Sequence, residues 1–205
     1  MLAVVNYGSG NVAAISAVLS TLRVEHKVVS EPADLVSADR YILPGVGAFD
    51  PTMARLEEVG FKAELERQVK GANKKLLGIC VGMQLLSDGS EEGELPGFGW
   101  IPGKVRKIDT SGLNRPPYLP HMGWNSLDLK GASPLFDGIE LAHGFYFLHS
   151  YFFDAADARE ILATTQYGGD LPCAVANGNV FGVQFHPEKS HANGTRLLKN
   201  FAELV

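Results

Sequence analysis

Residues 75–84 of the chain read Lys75-Leu76-Leu77-Gly78-Ile79-Cys80-Val81-Gly82-Met83-Gln84. An apolar run that meets two glycines before a helix-forming segment predicts a strand that turns sharply into a helix. Cys80 occupies the turn with a glycine two residues away on each side, which is the thiol form of the Gly-x-Ser-x-Gly nucleophile elbow. Such a turn exposes its central side chain, and the helix N-terminus behind it favours a thiolate and an oxyanion. The pattern predicts a nucleophilic Cys80, with a buried core cysteine as the alternative.

A second apolar run, residues 180–185, ends in His186-Pro187-Glu188. A catalytic thiol needs a base that takes and returns its proton, and the base needs an acceptor that orients it. Residues two apart on an extended backbone point to the same side, and Pro187 keeps His186 out of the helical region. His186 and Glu188 are therefore the predicted base and orienting carboxylate. A strand-end histidine beside a solvated glutamate is the alternative.

A third motif follows the strand at Tyr41-Ile42-Leu43, which we expect to break at Pro44. Acyl transfer needs two N–H donors that point at the developing oxyanion. The residue after the nucleophile, Val81, is the first expected donor. The second is expected from the loop after Pro44, at Val46 or Gly47. An ordinary glycine-rich turn is the alternative for this loop.

The composition argues against several classes of protein. The net charge of −5 over 205 residues is not that of a protein that binds nucleic acid or an anionic membrane surface. No stretch approaches the roughly 20 apolar residues of a membrane-spanning helix, and residues 1–6 are typical of a first strand and not of a signal peptide. Cys80 and Cys173 are too few for a disulfide framework and fit a reducing, cytoplasmic location. We find no metal-ligand spacing and expect neither a metal nor a cofactor.

Apolar strands alternate with helices in the first half of the chain. The predicted strands cover residues 2–6, 26–29, 40–43 and 76–79, and the predicted helices cover residues 11–22 and 61–69. A further helix is predicted to begin with Asp50 as its N-cap and Pro51 at its first position. This alternation indicates βαβ units and hence a parallel sheet covered by helices.

The second half of the chain is richer in strands. They are predicted at residues 99–108, 118–122, 145–153, 161–167, 173–176 and 180–185, with a hairpin turn at 177–179 and a surface loop at 112–117. The chain closes with a helix whose apolar residues share one face. Because no linker is apparent, we expect a single α/β domain that spans residues 1–205.

These motifs resemble those of class I, triad-type glutamine amidotransferases. The general resemblance rests on Gly78–Gln84, His149–Tyr151 and Gln184–Glu188. Within the class, the chain is similar to the glutaminase subunits of imidazole glycerol phosphate synthases through Asn6–Asn11, Leu43–Phe49, Ile101–Val105, Pro120–Asn125 and Lys189–Ser190. The resemblance spans essentially the whole chain, and its most specific part is the Pro120–Asn125 block. It implies a flavodoxin-like fold with a mostly parallel central sheet flanked by helices and an antiparallel, strand-rich second half.

The resemblance implies a reaction and a substrate site. Glutamine would be hydrolysed to glutamate and ammonia by Cys80, His186 and Glu188 through a γ-glutamyl thioester. The residues that it implies for glutamine recognition are Gln84, Gly45, His149, Ser150 and Tyr151. We expect the His149 ring itself to be packed in a sheet and not to be catalytic.

The resemblance also implies a heterodimer. The expected partner is a (βα)8-barrel cyclase that receives ammonia through its interior and makes imidazole glycerol phosphate and aminoimidazole carboxamide ribonucleotide in histidine biosynthesis. The residues expected to face it are Asn11, His121, Met122, Trp124, Asn125 and Lys189. A tryptophan and a lysine beside an active site suit an interface anchor and a charge pair, with a core tryptophan and a solvated lysine as the alternative. Such subunits are expected to be weakly active alone, with a flip of the backbone at 45–47 as the switch.

Other functions stay open on the sequence. The chain could serve another synthase of the same class, such as those that make anthranilate, GMP or pyridoxal phosphate. It could be a stand-alone γ-glutamyl cysteine hydrolase, which would need no protein partner. A non-catalytic binding module is the third alternative. The Pro120–Asn125 block disfavours the first two, and the intact set of Cys80, His186 and Glu188 disfavours the third.

Overall fold

The computed structural model describes residues 1–114, 116 and 118–204. Its strands, numbered in chain order, are β1 (Leu2–Val5), β2 (His26–Val29), β3 (Arg40–Gly45), β4 (Lys75–Cys80), β5 (Gly89–Ser90), β6 (Gly103–Lys107), β7 (His121–Asn125), β8 (Asp128–Leu129), β9 (Phe145–His149), β10 (Tyr151–Ala155), β11 (Ile161–Gln166), β12 (Asp170–Asn177) and β13 (Val180–Val183). The α-helices are α1 (Val12–Thr21), α2 (Phe49–Glu58), α3 (Phe61–Leu65), α4 (Val81–Gln84) and α5 (His191–Glu203). Short 3-10 turns cover Pro32–Ser37, Pro134–Phe136, Leu141–His143, Ala158–Glu160 and Pro187–Lys189, and a π-helical turn covers Glu66–Gly71.

The main sheet has eight strands in the order β2-β1-β3-β4-β13-β12-β11-β8. The first five are parallel to one another, and the last three pair antiparallel with their neighbours. Every residue of β1 is buried, as are all but the first of β3 and β4, because helices cover both faces of a parallel sheet. These observations confirm the predicted α/β fold class.

Two small sheets extend the second half of the chain. One has the order β10-β6-β5, and the other is the antiparallel ribbon β7-β9. A hydrophobic core runs through the described residues from Leu2 to Phe201, and Phe145, Phe147, Phe153 and Phe185 are completely buried in it. The aromatic residues of the strand-rich half therefore join the same core as the parallel strands.

Most predicted elements of the first half are present, with three differences. The strand expected to break at Pro44 continues to Gly45. Strand β1 pairs with β3 only as far as Ile42, so the absent N–H of Pro44 interrupts no hydrogen bond between these two strands. The helix expected at 61–69 changes to π-helical geometry after Leu65. Helix α2 begins at Phe49, so Asp50 is not its N-cap.

The Asp50 carboxylate has another role. It accepts hydrogen bonds from the backbone N–H groups of Glu94 and Leu95, at 2.8 and 3.1 Å. The Phe49 N–H at the start of α2 donates to Glu92 Oε2 at 2.9 Å. The acidic loop and the helix start therefore hold each other in place, which the sequence of α2 alone could not reveal.

In the second half, the predicted strand at 145–153 is two strands in different sheets. His149 pairs with His121 of β7, whereas Tyr151 pairs with Lys107 of β6, so the chain changes partner at Ser150. The strand expected at 118–122 begins only at His121, since Pro120 has no N–H to donate. The strand at 99–108 is shortened to β6, and the short β5 and β8 were not predicted.

The other predicted elements of this half agree with the structure. Strand β12 covers the expected segment, β11 ends one residue before the predicted end, and β13 ends at Val183, two residues before the predicted end. Strands β12 and β13 pair antiparallel around the predicted turn at 177–179. The closing helix is α5, with Leu197, Leu198 and Phe201 buried. The loop predicted at 112–117 includes Arg115 and Pro117, which lie outside the described residues. None of the helices that the structure describes has both the length and the apolar character required to cross a membrane.

The elbow depends on a close approach between backbones. A Cβ atom built on Gly82 would overlap the carbonyl oxygen of Leu43, and one built on Gly45 would lie 2.6 Å from Gly82 N. Strand β3 and the start of α4 therefore touch without any intervening side chain. A side chain at either glycine would push the two elements apart.

We predict that Gly82→Ala destabilises the protein by at least about 1–3 kcal/mol, because a backbone carbonyl must move to admit the methyl group. The matched control is Gly71→Ala, since a Cβ atom there meets nothing within 4 Å. Urea denaturation followed by circular dichroism measures the free energy of unfolding of both variants. Equal stabilities would contradict the close approach.

Candidate active site

The ends of three adjacent parallel strands meet at one edge of the main sheet. In the register, Gly45 of β3 lies opposite Cys80 of β4, and Val183 of β13 lies opposite Ile79. Since parallel strands end on the same side, the segments that follow β3, β4 and β13 share this edge. The edge is where open α/β sheets bind ligands.

A cavity of about 280 Å³ opens at this edge. It brings together ten of the residues expected to be functional: Val46, Gly47, Cys80, Val81, Gln84, His149, Ser150, Tyr151, His186 and Lys189. Gly45 and Glu188 do not line it. Of the residues expected to face a partner, Lys189 lines the cavity, whereas Asn11, His121, Met122, Trp124 and Asn125 do not.

Cys80 has the strained backbone expected of an elbow. Its φ is +55° and its ψ is −115°, in a region that residues other than glycine rarely adopt. The residue is 5 % exposed. Helix α4 after it is a single turn, so the helix dipole at Cys80 is smaller than the sequence suggested.

His186 and Glu188 form a hydrogen-bonded pair, with 2.9 Å between Nδ1 and Oε1. Both side chains are almost completely buried. His186 is extended, as expected, but residues 187–189 form a 3-10 turn that bends the carboxylate back to the ring. The expected geometry, with both residues on one extended strand, was therefore wrong, although the two side chains do lie within hydrogen-bond distance.

The environment of His186 favours its imidazolium form. Burial by itself lowers the pKa of His186, but the hydrogen bonds and negative charges of Cys80 and Glu188 outweigh burial and raise that pKa to about 9. A folded-state pKa above the ordinary value means that this interaction stabilises the fold below about pH 6.5 and that the stabilisation is lost as the pH rises through about 9.

The loop after β3 is held by one hydroxyl group. The N–H of Val46 donates to Ser9 Oγ at 3.2 Å, and Ser9 Oγ donates to the carbonyl of Val46 at 3.0 Å. The Val46 N–H therefore points at Ser9 and not at the sulfur of Cys80. Gly47 has a φ of +101° and open space around it.

Two buried glutamines connect Cys80 to the cavity wall. Gln84 Nε2 donates to the carbonyl of Tyr151 at 3.3 Å and to Gln184 Oε1 at 3.0 Å. Gln184 Nε2 in turn lies 3.7 Å from Cys80 Sγ. An amide N–H beside sulfur stabilises a thiolate, so Gln184 belongs to the site although only its place in a motif was noticed in the sequence.

The residues expected to face a partner divide into two groups. Met122, Trp124 and Lys189 are exposed, and the fractions for the first two are 63 % and 46 %. His121 is only 4 % exposed, so the expectation that it faces a partner was wrong. Its ring stacks between Phe147 and Tyr167 inside the protein.

Asn11 and Asn125 are half-buried and bonded internally. Asn11 Nδ2 lies 3.5 Å from Glu188 Oε1, and Asn125 Nδ2 donates to the carbonyl of Gln166 at 2.9 Å. The other carboxylate oxygen of Glu188, Oε2, is buried without a hydrogen-bond partner among the described residues.

Three cavity residues were missed in the sequence: Glu92, Pro120 and Leu148. Glu92 is the most informative, because it places a carboxylate in the cavity wall. The acidic run at residues 91–94 is visible in the sequence, but nothing in it indicates which carboxylate faces the cavity. The hydrogen bond from Phe49 N to Glu92 sets that direction.

Comparison with known proteins identifies the family. The family model described as "Glutamine amidotransferase class-I" matches residues 3–204. The chain belongs to this family. Two relatives, both named "Imidazole glycerol phosphate synthase subunit HisH", show how far the similarity extends. The relative from Bdellovibrio bacteriovorus is 48 % identical over 205 residues, and the one from Leptospira borgpetersenii is 40 % identical over 204 residues; each match covers 100 % of both chains.

Solved amidotransferase structures share the fold. A structure entitled "Crystal structure of glutamine amidotransferase" superposes with a TM-score of 0.74 at 23 % identity and covers 98 % of this chain and 97 % of that one. The "Structure of PurLQS from Thermotoga maritima" gives a TM-score of 0.72 at 19 % identity, with 98 % and 96 % covered. At these identities the likeness concerns the fold alone.

We predict that His186→Ala slows the alkylation of Cys80 by iodoacetamide, because the variant lacks the ring that would accept the thiol proton. Peptide mass spectrometry after timed labelling gives the rate at each pH. Cys173 is an internal control, since it is completely buried and burial raises its pKa. Equal rates in the variant and the wild-type chain at every pH would contradict this role of His186.

Proposed function

We propose that the chain is the glutaminase subunit of an imidazole glycerol phosphate synthase and hydrolyses glutamine to glutamate and ammonia. The observation that carries this proposal is the 48 % identity to a subunit of that name along all 205 residues. The cavity that contains Cys80 and His186 supports it. We also propose that residues 1–205 act as a single amidotransferase domain in the cytoplasm, which the continuous core and the two free cysteines support.

The proposed reaction uses Cys80, His186 and Glu188. The thiolate of Cys80 attacks the side-chain amide carbon of glutamine, and His186 protonates the departing ammonia. A γ-glutamyl thioester remains on the sulfur. Water then attacks the thioester carbonyl and gives its proton to His186, which releases glutamate and restores the thiol. Glu188 orients the ring and stabilises the imidazolium.

The oxyanion is proposed to be held by the N–H of Val81 and by one N–H from the loop at 45–47. Val46 can serve only after the peptide between Gly45 and Val46 turns away from Ser9, which breaks the hydrogen bond to that hydroxyl. Gly47 needs no such release. We propose that this turn of the loop is the step that raises the activity when the partner binds.

Substrate recognition is proposed to involve both ends of glutamine. Gln84 and the backbone at His149, Ser150 and Tyr151 line the cavity and are proposed to surround the side-chain amide. Gly45 does not line the cavity, and its proposed contribution is through the loop that it begins. Glu92 offers a carboxylate in the same cavity, which suits the α-ammonium group of a free amino acid. The donor atom of Gln84 is already engaged by Tyr151 and Gln184, so its proposed contact with substrate is through its remaining atoms.

The proposed partner is a (βα)8-barrel cyclase that takes up the ammonia and makes imidazole glycerol phosphate and aminoimidazole carboxamide ribonucleotide. Met122, Trp124 and Lys189 are proposed as its contacts because they are exposed, and Lys189 lies at the cavity. Asn11 is proposed as a contact that also touches Glu188. A stand-alone hydrolase would not need the two large exposed apolar side chains of Met122 and Trp124. They lie on β7, which pairs with β9 in the cavity wall.

We predict that Cys80→Ala lowers glutamine hydrolysis by several orders of magnitude, because no other residue described in the cavity wall can form the thioester. Ammonia release from glutamine, assayed with the cognate cyclase present, measures the loss. Cys173→Ala is the matched control and is expected to keep its activity, since that thiol is buried on β12. Near-native turnover by Cys80→Ala would refute the assignment.

We predict that Ser9→Ala raises glutaminase activity in the absence of the cyclase several-fold, because the Val46 N–H loses the hydroxyl that holds it. The same variant is expected to be stimulated less by the cyclase than the wild-type chain. Activity of both proteins with and without the cyclase gives the two ratios. Unchanged basal activity would show that Ser9 does not restrain the loop.

A further inference from the structure

The ribbon of β7 and β9 has two different faces. Met122 and Trp124 of β7 are exposed, whereas His121, on the other face by the alternation of a strand, is buried and lies opposite His149 of β9. His149 lines the cavity and His121 does not. The two imidazoles therefore connect the ribbon with the wall of the active site.

A continuous chain of hydrogen bonds crosses this ribbon. Asn125 Nδ2 lies 3.2 Å from His121 Nε2, and His121 Nδ1 lies 2.9 Å from His149 Nε2. His149 Nδ1 lies 2.8 Å from the carbonyl oxygen of Tyr151. Every ring nitrogen of the pair thus has a polar neighbour within hydrogen-bond distance.

Backbone groups fix the direction of this chain at its outer end. Asn125 Oδ1 accepts from the N–H of Ser126 at 2.9 Å, and Asn125 Nδ2 donates to the carbonyl of Gln166 at 2.9 Å. The amide therefore presents an N–H, and not its oxygen, to His121 Nε2. His121 must accept at Nε2 and carry its proton on Nδ1.

The inner end requires the same direction. The carbonyl of Tyr151 can only accept, so His149 carries its proton on Nδ1 and accepts from His121 at Nε2. A second proton on either ring would place two donors face to face. Burial agrees with neutral rings, because it lowers the pKa of His121 to about 4 and, as the largest of several effects, that of His149 to about 3.

The carbonyl of Tyr151 joins this chain to the nucleophile. It accepts from His149 and from Gln84, whose Nε2 also donates to Gln184 Oε1. Gln184 Nε2 then reaches Cys80 Sγ at 3.7 Å. The carbonyl of Tyr151 is therefore oriented by two hydrogen bonds, one from the His149 imidazole and one from the Gln84 amide. The Gln84 amide is in turn linked through Gln184 to Cys80 Sγ.

We propose that His121 and Asn125 are positioning residues of the glutaminase site. Together with the carbonyl of Tyr151 they hold His149 as the Nδ1–H tautomer, and His149 holds the backbone at Tyr151 against which glutamine is proposed to bind. This inference rests on the proposed function for its substrate. It reassigns two residues expected to contact a partner to the interior of the site, while the opposite face of β7 keeps Met122 and Trp124 exposed.

Two substitutions of His121 test the donor at Nδ1. His121→Leu removes it, whereas His121→Asn places an amide N–H near the same position. We expect His121→Leu to raise the KM for glutamine about tenfold, which corresponds to about 1.4 kcal/mol, with little change in kcat, because a buried hydrogen bond is lost. We expect His121→Asn to restore the wild-type KM. The full-length chain with the cognate cyclase is assayed for glutamate release.

Asn125→Asp tests the direction of the chain. The variant places a carboxylate oxygen where the Asn125 N–H was, so His121 must carry a proton on Nε2. This change disturbs the donor and acceptor roles along the series of hydrogen bonds, including the bond from His121 to His149. We expect a similar rise in KM. Asn200→Asp is the matched control, because Asn200 is also half-buried and donates to two backbone carbonyls, those of Leu135 and Asp137, without contacting an imidazole.

Nitrogen-15 NMR of the histidine rings reads the tautomers directly. We expect Nδ1–H for His121 and His149 in the wild type and in the Asn200→Asp control, and a changed signal at His149 in His121→Leu and Asn125→Asp. If His121→Leu does not fold, His121→Asn and Asn125→Asp decide the outcome. Wild-type KM values and an unchanged His149 tautomer in Asn125→Asp would overturn the positioning role. A wild-type chain that releases no ammonia would instead refute the proposed function.

Discussion

The contact between the elbow and strand β3 is the constraint on which the site depends. Gly82 packs against the carbonyl of Leu43, and Gly45 packs against Gly82 N, so two backbones meet with no side chain between them. This contact brings the loop after β3 next to the turn that carries Cys80. The donors of the proposed oxyanion hole and the nucleophile are thereby held at one sheet edge, and the neighbouring β13 adds His186 at the same edge.

Much of the fold could be predicted because its strands carry strong local signals. The buried runs of β1, β3 and β4 and the turn at 177–179 are visible in the residues alone. The errors arise where partners distant in the chain decide the outcome. The predicted strand at 145–153 is divided at Ser150 because the segment before it pairs with β7 and the segment after it pairs with β6. Asp50 accepts a hydrogen bond from a loop more than forty residues away in the chain.

The sequence predicted which side chains come together better than it predicted their surroundings. Cys80, His186 and Glu188 were chosen because a thiol in an elbow, an imidazole and a nearby carboxylate are the three groups that acyl transfer requires. The structure places His186 next to Glu188 and in the same cavity as Cys80. His121 was misassigned because a histidine in a specific motif looks the same whether it faces a partner or a core. Its burial between Phe147 and Tyr167 depends on the pairing of β7 with β9, which no local pattern encodes. Ser9 and Glu92 acquire their roles through contacts with Val46 and Phe49.

The paired imidazoles of His121 and His149 have a consequence for transition-metal ions. Two histidines in contact are usually an attractive place for zinc or copper, which bind through the lone pair of a neutral ring nitrogen. Here the lone pair of each Nε2 already accepts a proton donor, and each Nδ1 carries a hydrogen that is itself engaged. An ion could bind a ring nitrogen only if these hydrogen bonds were broken. The arrangement thus keeps two histidines in contact beside the cavity that contains Cys80 without leaving a free ring lone pair for an ion.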